Sequence, residues 1–155
     1  MLDFDNSTYK DGYDYTSQEQ ILARLRQAFS PVVVYEGLVD DNEAFEVYKA
    51  HEGTPVLVVN FSGDVQAPYR HKGLVGAAYD TNEIQCIVQV VSTVQAVSNR
   101  VLSKVKRVLL GFEPEGCGEL TPALYSASGK INTLGTPTRY TSVQIFRYFV
   151  NSNAI

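Results

Sequence analysis

Two histidines, His51 and His71, and two cysteines, Cys86 and Cys117, are the residues best suited by type to ligate a metal or to start covalent chemistry. Their spacing argues against a metal. A zinc or transition-metal site gathers ligands at short, repeated intervals, and neither histidine stands at such an interval from the other, from a cysteine or from a second carboxylate on the same element. Cys117 lies in the turn Glu115-Gly116-Cys117-Gly118, where a thiol would be exposed and His71 could act as its base. That turn needs no chemistry to explain it, because glycines beside Pro114 after a helix are what a tight turn requires. Arg70, His71 and Lys72 form a small basic cluster that could contact phosphate or an acidic partner, and such clusters are most often solvated loop tips. Gly63, Gly73 and Gly76 do not make a phosphate loop, since no Lys-Ser pair follows and they do not lead from a strand into a helix. We therefore expect no catalytic, cofactor-binding or metal-binding residues, no cofactor and no enzymatic activity. The alternative from another class is a small cysteine-dependent hydrolase or ligand-binding domain using Cys117 and the loop Arg70–Lys72.

The elements that would position these residues are read from periodicity. Val94, Val97, Val101, Val105, Val108 and Leu109 recur at three- and four-residue steps, with Asn99, Arg100, Lys104, Lys106 and Arg107 on the remainder, so a helix from about Ser92 to Leu110 should lie on a sheet. On that pattern Lys104 is a solvated side chain. Ser92 or Thr93 would cap its start, Gly111 would take the left-handed conformation at its end, and Pro114 forbids continuation. An earlier helix is marked by a capping box, Thr16 to Glu19, and a stripe of Ile21, Leu22, Leu25 and Phe29, closed by Ser30-Pro31. Strands are expected at Pro31–Glu36, buried on both faces, at Thr54–Phe61, through Ile84–Val91, and at Tyr140–Val150 with Val143, Ile145 and Phe149 against Phe146, Tyr148 and Val150. Asp40 or Asp41 would cap a short helix over Glu43–Ala50. Ser62–Thr81 and Phe112–Thr138 show no period and read as long loops.

This order implies an α+β fold, a two-layer sandwich with a mixed or antiparallel sheet of about four strands and two main helices packed on it. The 155 residues suffice for one core and not two. Residues 1–15 carry Asp3, Asp5, Asp11 and Asp14 against Lys10 alone, with Phe4, Tyr9, Tyr13 and Tyr15 between them, and read as an acidic, tyrosine-rich arm ahead of a single domain over 16–155. A net charge of −4 argues against a general nucleic-acid binder and permits DNA to pass nearby without being held. No apolar run approaches the roughly 20 residues that span a bilayer. The acidic start Met1–Asp5 is unlike a secretory signal, and two isolated thiols build no disulfide framework, so the expected location is the cytosol without membrane attachment.

Four features together resemble the tail terminator proteins of long-tailed bacteriophages, the Mu-like branch above all. They are the run Glu83 to Ser92 with its long helix, the stop Leu109-Leu110-Gly111-Phe112-Glu113-Pro114, the stretch Tyr125-Ser126-Ala127-Ser128-Gly129-Lys130, and the closing strand Tyr140–Val150. The resemblance spans roughly Thr16 to Val150, includes an opening helix at Glu19–Phe29 and places the glycine-containing loop Gly135-Thr136-Pro137 before the last strand. It implies a structural virion protein assembled in the host cytoplasm. Such a protein forms a homo-oligomer, a hexameric ring on the head-proximal end of the tail tube, which stops tube polymerisation and joins the tail to the neck. The implied partners are the tail tube protein, the neck or head-completion protein and, in a contractile tail, the sheath protein, with DNA passing through the lumen. A neck or head–tail joining protein is the neighbouring alternative.

Overall fold

A computed structural model describes residues 13–30, 32–37, 54–62, 65–66, 81–131 and 138–151. Within them the chain runs α1 (Tyr13–Ala28), β1 (Val33–Glu36), β2 (Val56–Phe61), β3 (Val65–Gln66), β4 (Thr81–Ser92), α2 (Gln95–Leu109), β5 (Thr121–Ile131) and β6 (Arg139–Asn151). The expected Glu43–Ala50 helix with Asp40 and Asp41, both histidines, the cluster Arg70–Lys72, the glycines 63, 73 and 76, the loop Gly135–Pro137 and arm residues 1–12 lie outside the described residues.

The β-branched runs assemble one mixed sheet in the order β1-β2-β4-β6-β5. β1 is parallel to β2, and the other neighbours are antiparallel. β3 pairs with β4 beyond the end of β2: the register passes from Phe61↔Cys86 to Val65↔Glu83, so β3 continues β2 past a bulge. Ser62 holds that step, its N–H donating to the Gln85 carbonyl at 2.9 Å while its hydroxyl accepts from the Gln85 N–H at 3.0 Å. The fold class is α+β as expected, but the described sheet has six strands where about four were expected. The two additions, β3 and β5, fall in the segments that read as loops.

Both helices pack on one face of the sheet. Their apolar sides meet alternate residues of the strands in one core: Ile21, Leu22, Leu25 and Phe29 of α1, Leu102, Val105 and Leu109 of α2, and the row Ile84, Cys86, Val88, Val90 of β4 beside Phe146, Tyr148 and Val150 of β6. β1 buries only Val34, since it is an edge strand covered on one side, and the expected burial on both faces does not occur. The first helix starts at Tyr13, three residues before the expected cap, so Thr16 is inside the helix and Tyr13 and Tyr15 belong to it and not to an arm. Ser17 explains why the helix is anchored there: fully buried, its hydroxyl shares a 2.8 Å hydrogen bond with the Tyr148 hydroxyl.

The second helix begins at Gln95, with Val94 as its N-cap and no side-chain cap bond. Ser92 is the buried end of β4, and its single proton has two acceptors, the Val94 carbonyl at 2.7 Å and Ser98 Oγ at 2.6 Å. Ser98 donates to the Tyr140 carbonyl at 2.9 Å, and Ser142 donates to Asn99 Oδ1 at 2.6 Å, so a run of hydroxyls welds the start of α2 to β4 and β6. The buried line of the helix is Ser98, Leu102, Val105 and Leu109. Of the expected valine stripe only Val105 and Leu109 are fully buried: Val101 and Val108 are half-buried, Val94 precedes the helix and is exposed, and Ser98 and Leu102 take the other buried places.

That helix pair is closed by a reciprocal exchange. Arg24 donates to the Val108 carbonyl at 2.7 Å and lies 4.5 Å from the centre of the Phe112 ring; Lys104 donates to the Ala28 carbonyl at 3.1 Å and lies 4.9 Å from that of Phe29. Each helix end leaves carbonyls without intrahelical partners at the negative pole of its dipole, and each is met by a cation from the other helix. Lys104 is therefore not the free solvated side chain its position suggested. Val105→Asp should cost several kcal/mol of a total of about 5–15 and leave the protein unfolded or insoluble. Lys104→Ala should cost about 0.5–1.5 kcal/mol, and Val101→Asp should fall between the two, as read by circular dichroism melting.

Candidate assembly surfaces

Every described cysteine is placed by packing. Cys86 is fully buried in the core, and burial pushes its thiol well above the ordinary range. Cys117 is half-buried against the core edge, its thiol donating to the Glu115 carbonyl at 3.5 Å and its backbone bridging to Val150. The thiol expected to be exposed between Gly116 and Gly118 is half-buried. Its loop is closed at the base, where the Gly111 N–H donates to the Leu120 carbonyl and the Leu120 N–H donates to Phe112. Gly111 and Gly116 have φ of 82° and 74°, the left-handed backbone that glycine adopts at no cost. Among the described residues no group of three or more His, Cys, Asp or Glu side chains is arranged to hold a metal, and no helix is long and apolar enough to cross a membrane.

What the described residues build instead are surfaces. The sheet face away from the helices carries cross-strand rows, Val58 beside Gln89 and Val143, then Asn60 beside Ile87 and Ile145, all half-buried with no described helix over them. Glu83 and Arg147 meet across this face at 3.9 Å, an exposed pair of small energetic weight. Toward the head of β6 the same face closes over: Val56, Val91 and Thr141 are buried, and Arg139 is the largest fully buried side chain of the described protein. No periodicity marks a buried arginine, and nothing in the sequence pointed to it.

The second surface is β5, which read as part of a loop. It is an edge strand of 11 residues, paired to β6 on one side only among the described residues. Its pairing has two registers, Thr121 and Pro122 against Arg147 and Phe146, then Ser126 to Ile131 against Gln144 to Arg139. The irregularity between them is held by Gln144, whose side-chain amide donates to the Ala123 carbonyl at 3.4 Å and to Ile145 at 2.9 Å. Pro122 is tolerated because an edge strand has no second ladder to complete. Past the bulge, Ser126 to Ile131 run with small residues and Lys130, the sole charge on that stretch. Ser128, Gly129, Lys130, Tyr140 and Gln95 line an open cleft of about 520 Å³ between this strand and the start of α2.

No protein-family model matches this chain, and no curated protein matches it. A third surface is electrostatic: α2 holds Arg100, Lys104, Lys106 and Arg107 and no acidic residue.

Gly129 is the residue on which the regular half of β5 depends, since a Cβ there would meet Thr141 Oγ1 at 2.9 Å. Gly129→Ala should destabilise by about 1–3 kcal/mol. Adding Thr141→Ala should recover most of that loss, a coupling measurable by thermal melting of the two single variants and the double. Strict additivity would mean that the strands are not in this register.

Proposed function

We propose that this chain is a tail-terminator-like ring subunit of a long-tailed bacteriophage, located at the head-proximal end of the tail. It caps the tail tube as a hexamer, stops tube polymerisation and joins the tail to the neck. Its partners are copies of itself, the tail tube protein and the neck or head-completion protein, with sheath as a further partner in a contractile tail.

The single observation that carries this reading is an unequal pair of surfaces left open among the described residues, the outer edge of β5 and the half-apolar face opposite the helices. A closed ring is built from heterologous contacts, in which one surface of a subunit meets a different surface of the next. A long edge strand and a half-apolar face are two such surfaces. The elements on which the family resemblance rests support the reading further: β4 leads directly into α2, the helix stops before Gly111 and Pro114, and β6, the last strand of the chain, pairs with β4. The net charge of −4 suits a ring through which DNA passes, because strong phosphate binding depends on releasing counterions to a basic surface.

Purified protein, alone and mixed with tail tubes, should show rings or end caps in negative-stain images. Featureless monomers that leave tube ends bare would contradict the proposal, and rings that bind necks but not tubes would favour the head–tail joining alternative.

A further inference from the structure

We propose that the outer face of α2 is the docking site for the acidic, aromatic N-terminal arm of a second copy of this chain. The inference rests on the ring reading in requiring a neighbouring copy, and it specifies one contact that such a ring would make.

The first ground is charge. Four of the 13 basic residues of a chain with net charge −4 stand in the 15 residues of α2, with no acidic residue among them to form pairs along the helix. Arg100 and Arg107 are exposed and stand seven residues apart, which puts them on one side of the helix, while Lys104 between them is turned to the end of α1. Ser98, Leu102, Val105 and Leu109 bury the opposite side. The described ion pair, Arg147 with Glu83, is on the far face of the sheet and does nothing to neutralise this helix.

The second ground is the chemistry of the arm. Residues 1–12 carry Asp3, Asp5 and Asp11 against Lys10, with Phe4 and Tyr9 between them. Guanidinium groups accept such a segment in two ways, by forked hydrogen bonds to carboxylates and by stacking on aromatic rings. The protein already uses the second at Arg24 over Phe112.

Direction selects a second copy over the chain's own arm. Arg24 meets Val108, Lys104 meets Ala28, and the Glu115 N–H donates to Gln20 Oε1, so α1 and α2 run in opposite senses and the start of α1 projects past the end of α2. Tyr13, to which the arm is joined, therefore lies at the end of the helix layer remote from Arg100. To bring Asp5 to Arg100 of its own α2 the arm would have to run back the whole length of α1, about 24 Å for 16 residues, which takes nearly the full extended reach of about 26–29 Å between Tyr13 and Asp5. A neighbour related by a ring rotation needs no such reversal.

Charge exchange in the full-length protein tests this by sedimentation velocity, with melting curves to confirm that each variant is folded. Arg100→Glu with Arg107→Glu should weaken self-association about tenfold or more, and Asp3→Lys with Asp5→Lys should do the same. Combining all four should restore association to within about threefold of the parent, because the pairs are re-formed with reversed sign. If the parent associates and the α2 reversals leave it unchanged, or if the combination fails to restore it, this contact is overturned while the ring reading stands. A parent that stays monomeric at all concentrations overturns both. Reversals that weaken binding to duplex DNA but not self-association assign the face to nucleic acid and overturn the proposal.

Discussion

The antiparallel pairing of β4 with β6 is the constraint on which the remaining structure depends. It runs unbroken from Thr81↔Asn151 to Ser92↔Tyr140, twelve residues of each strand. Every other layer of the molecule is fastened to it. Its inward residues from Ile84 to Val90 and from Phe146 to Val150 receive both helices, β2 adds along one side and β5 along the other, and the serine run at its end fixes where α2 begins. The pairing joins residues about 60 apart in the chain, so the loop between them must close before its contacts stabilise anything. The short link from Ser92 to Gln95 offsets part of that cost, because α2 can fold back on β4 locally and present a surface for β6 to complete.

The elements with strong patterns were legible in the sequence, and the reasons for the others being missed are physical. β2, β4, β6 and the core stripe of α1 carry β-branched or periodic apolar residues, and they form where those residues stand. β5 carries Pro, Ala, Ser and Gly, a composition that reads as a loop, because an edge strand covered on one side needs neither large apolar residues nor every backbone N–H. The start of α1 was misplaced because Thr16-Ser17-Gln18-Glu19 imitates a capping box, whereas Ser17 is spent on Tyr148. Ser92 or Thr93 was expected to cap α2, but the N-cap is Val94 with no side-chain cap bond, and the Ser92 hydroxyl binds the turn and Ser98 instead. Of the candidate chemistry, the turn at Cys117 was legible as a glycine turn after the helix, with Gly116 in the left-handed backbone. The buried Arg139 and the exchange of Lys104 and Arg24 between helix ends depend on tertiary neighbours that no local pattern encodes.

The surfaces divide by physical character. The helix layer shows cations to solvent through α2, the opposite sheet face is half-apolar and nearly neutral, and β5 offers backbone hydrogen-bonding groups. A domain with these three unlike faces can meet three unlike neighbours, as the proposed ring subunit would have to. Hydrogen bonds across the base of the 111–120 loop and at the β5 bulge tie both segments to the sheet, and contacts formed before assembly need not be ordered during it.

Amide hydrogen exchange across residues 126–131 tests the central claim most directly, since alternate N–H groups of an antiparallel edge strand point away from its single partner. Exchange would be followed by mass spectrometry in dilute protein and in the assembled state. The account predicts that the outward amides of this stretch exchange rapidly when dilute and slow by about tenfold or more on assembly, as the edge of β5 is covered. Identical rates in the two states would show that the free edge of the sheet is not where this protein joins its neighbours.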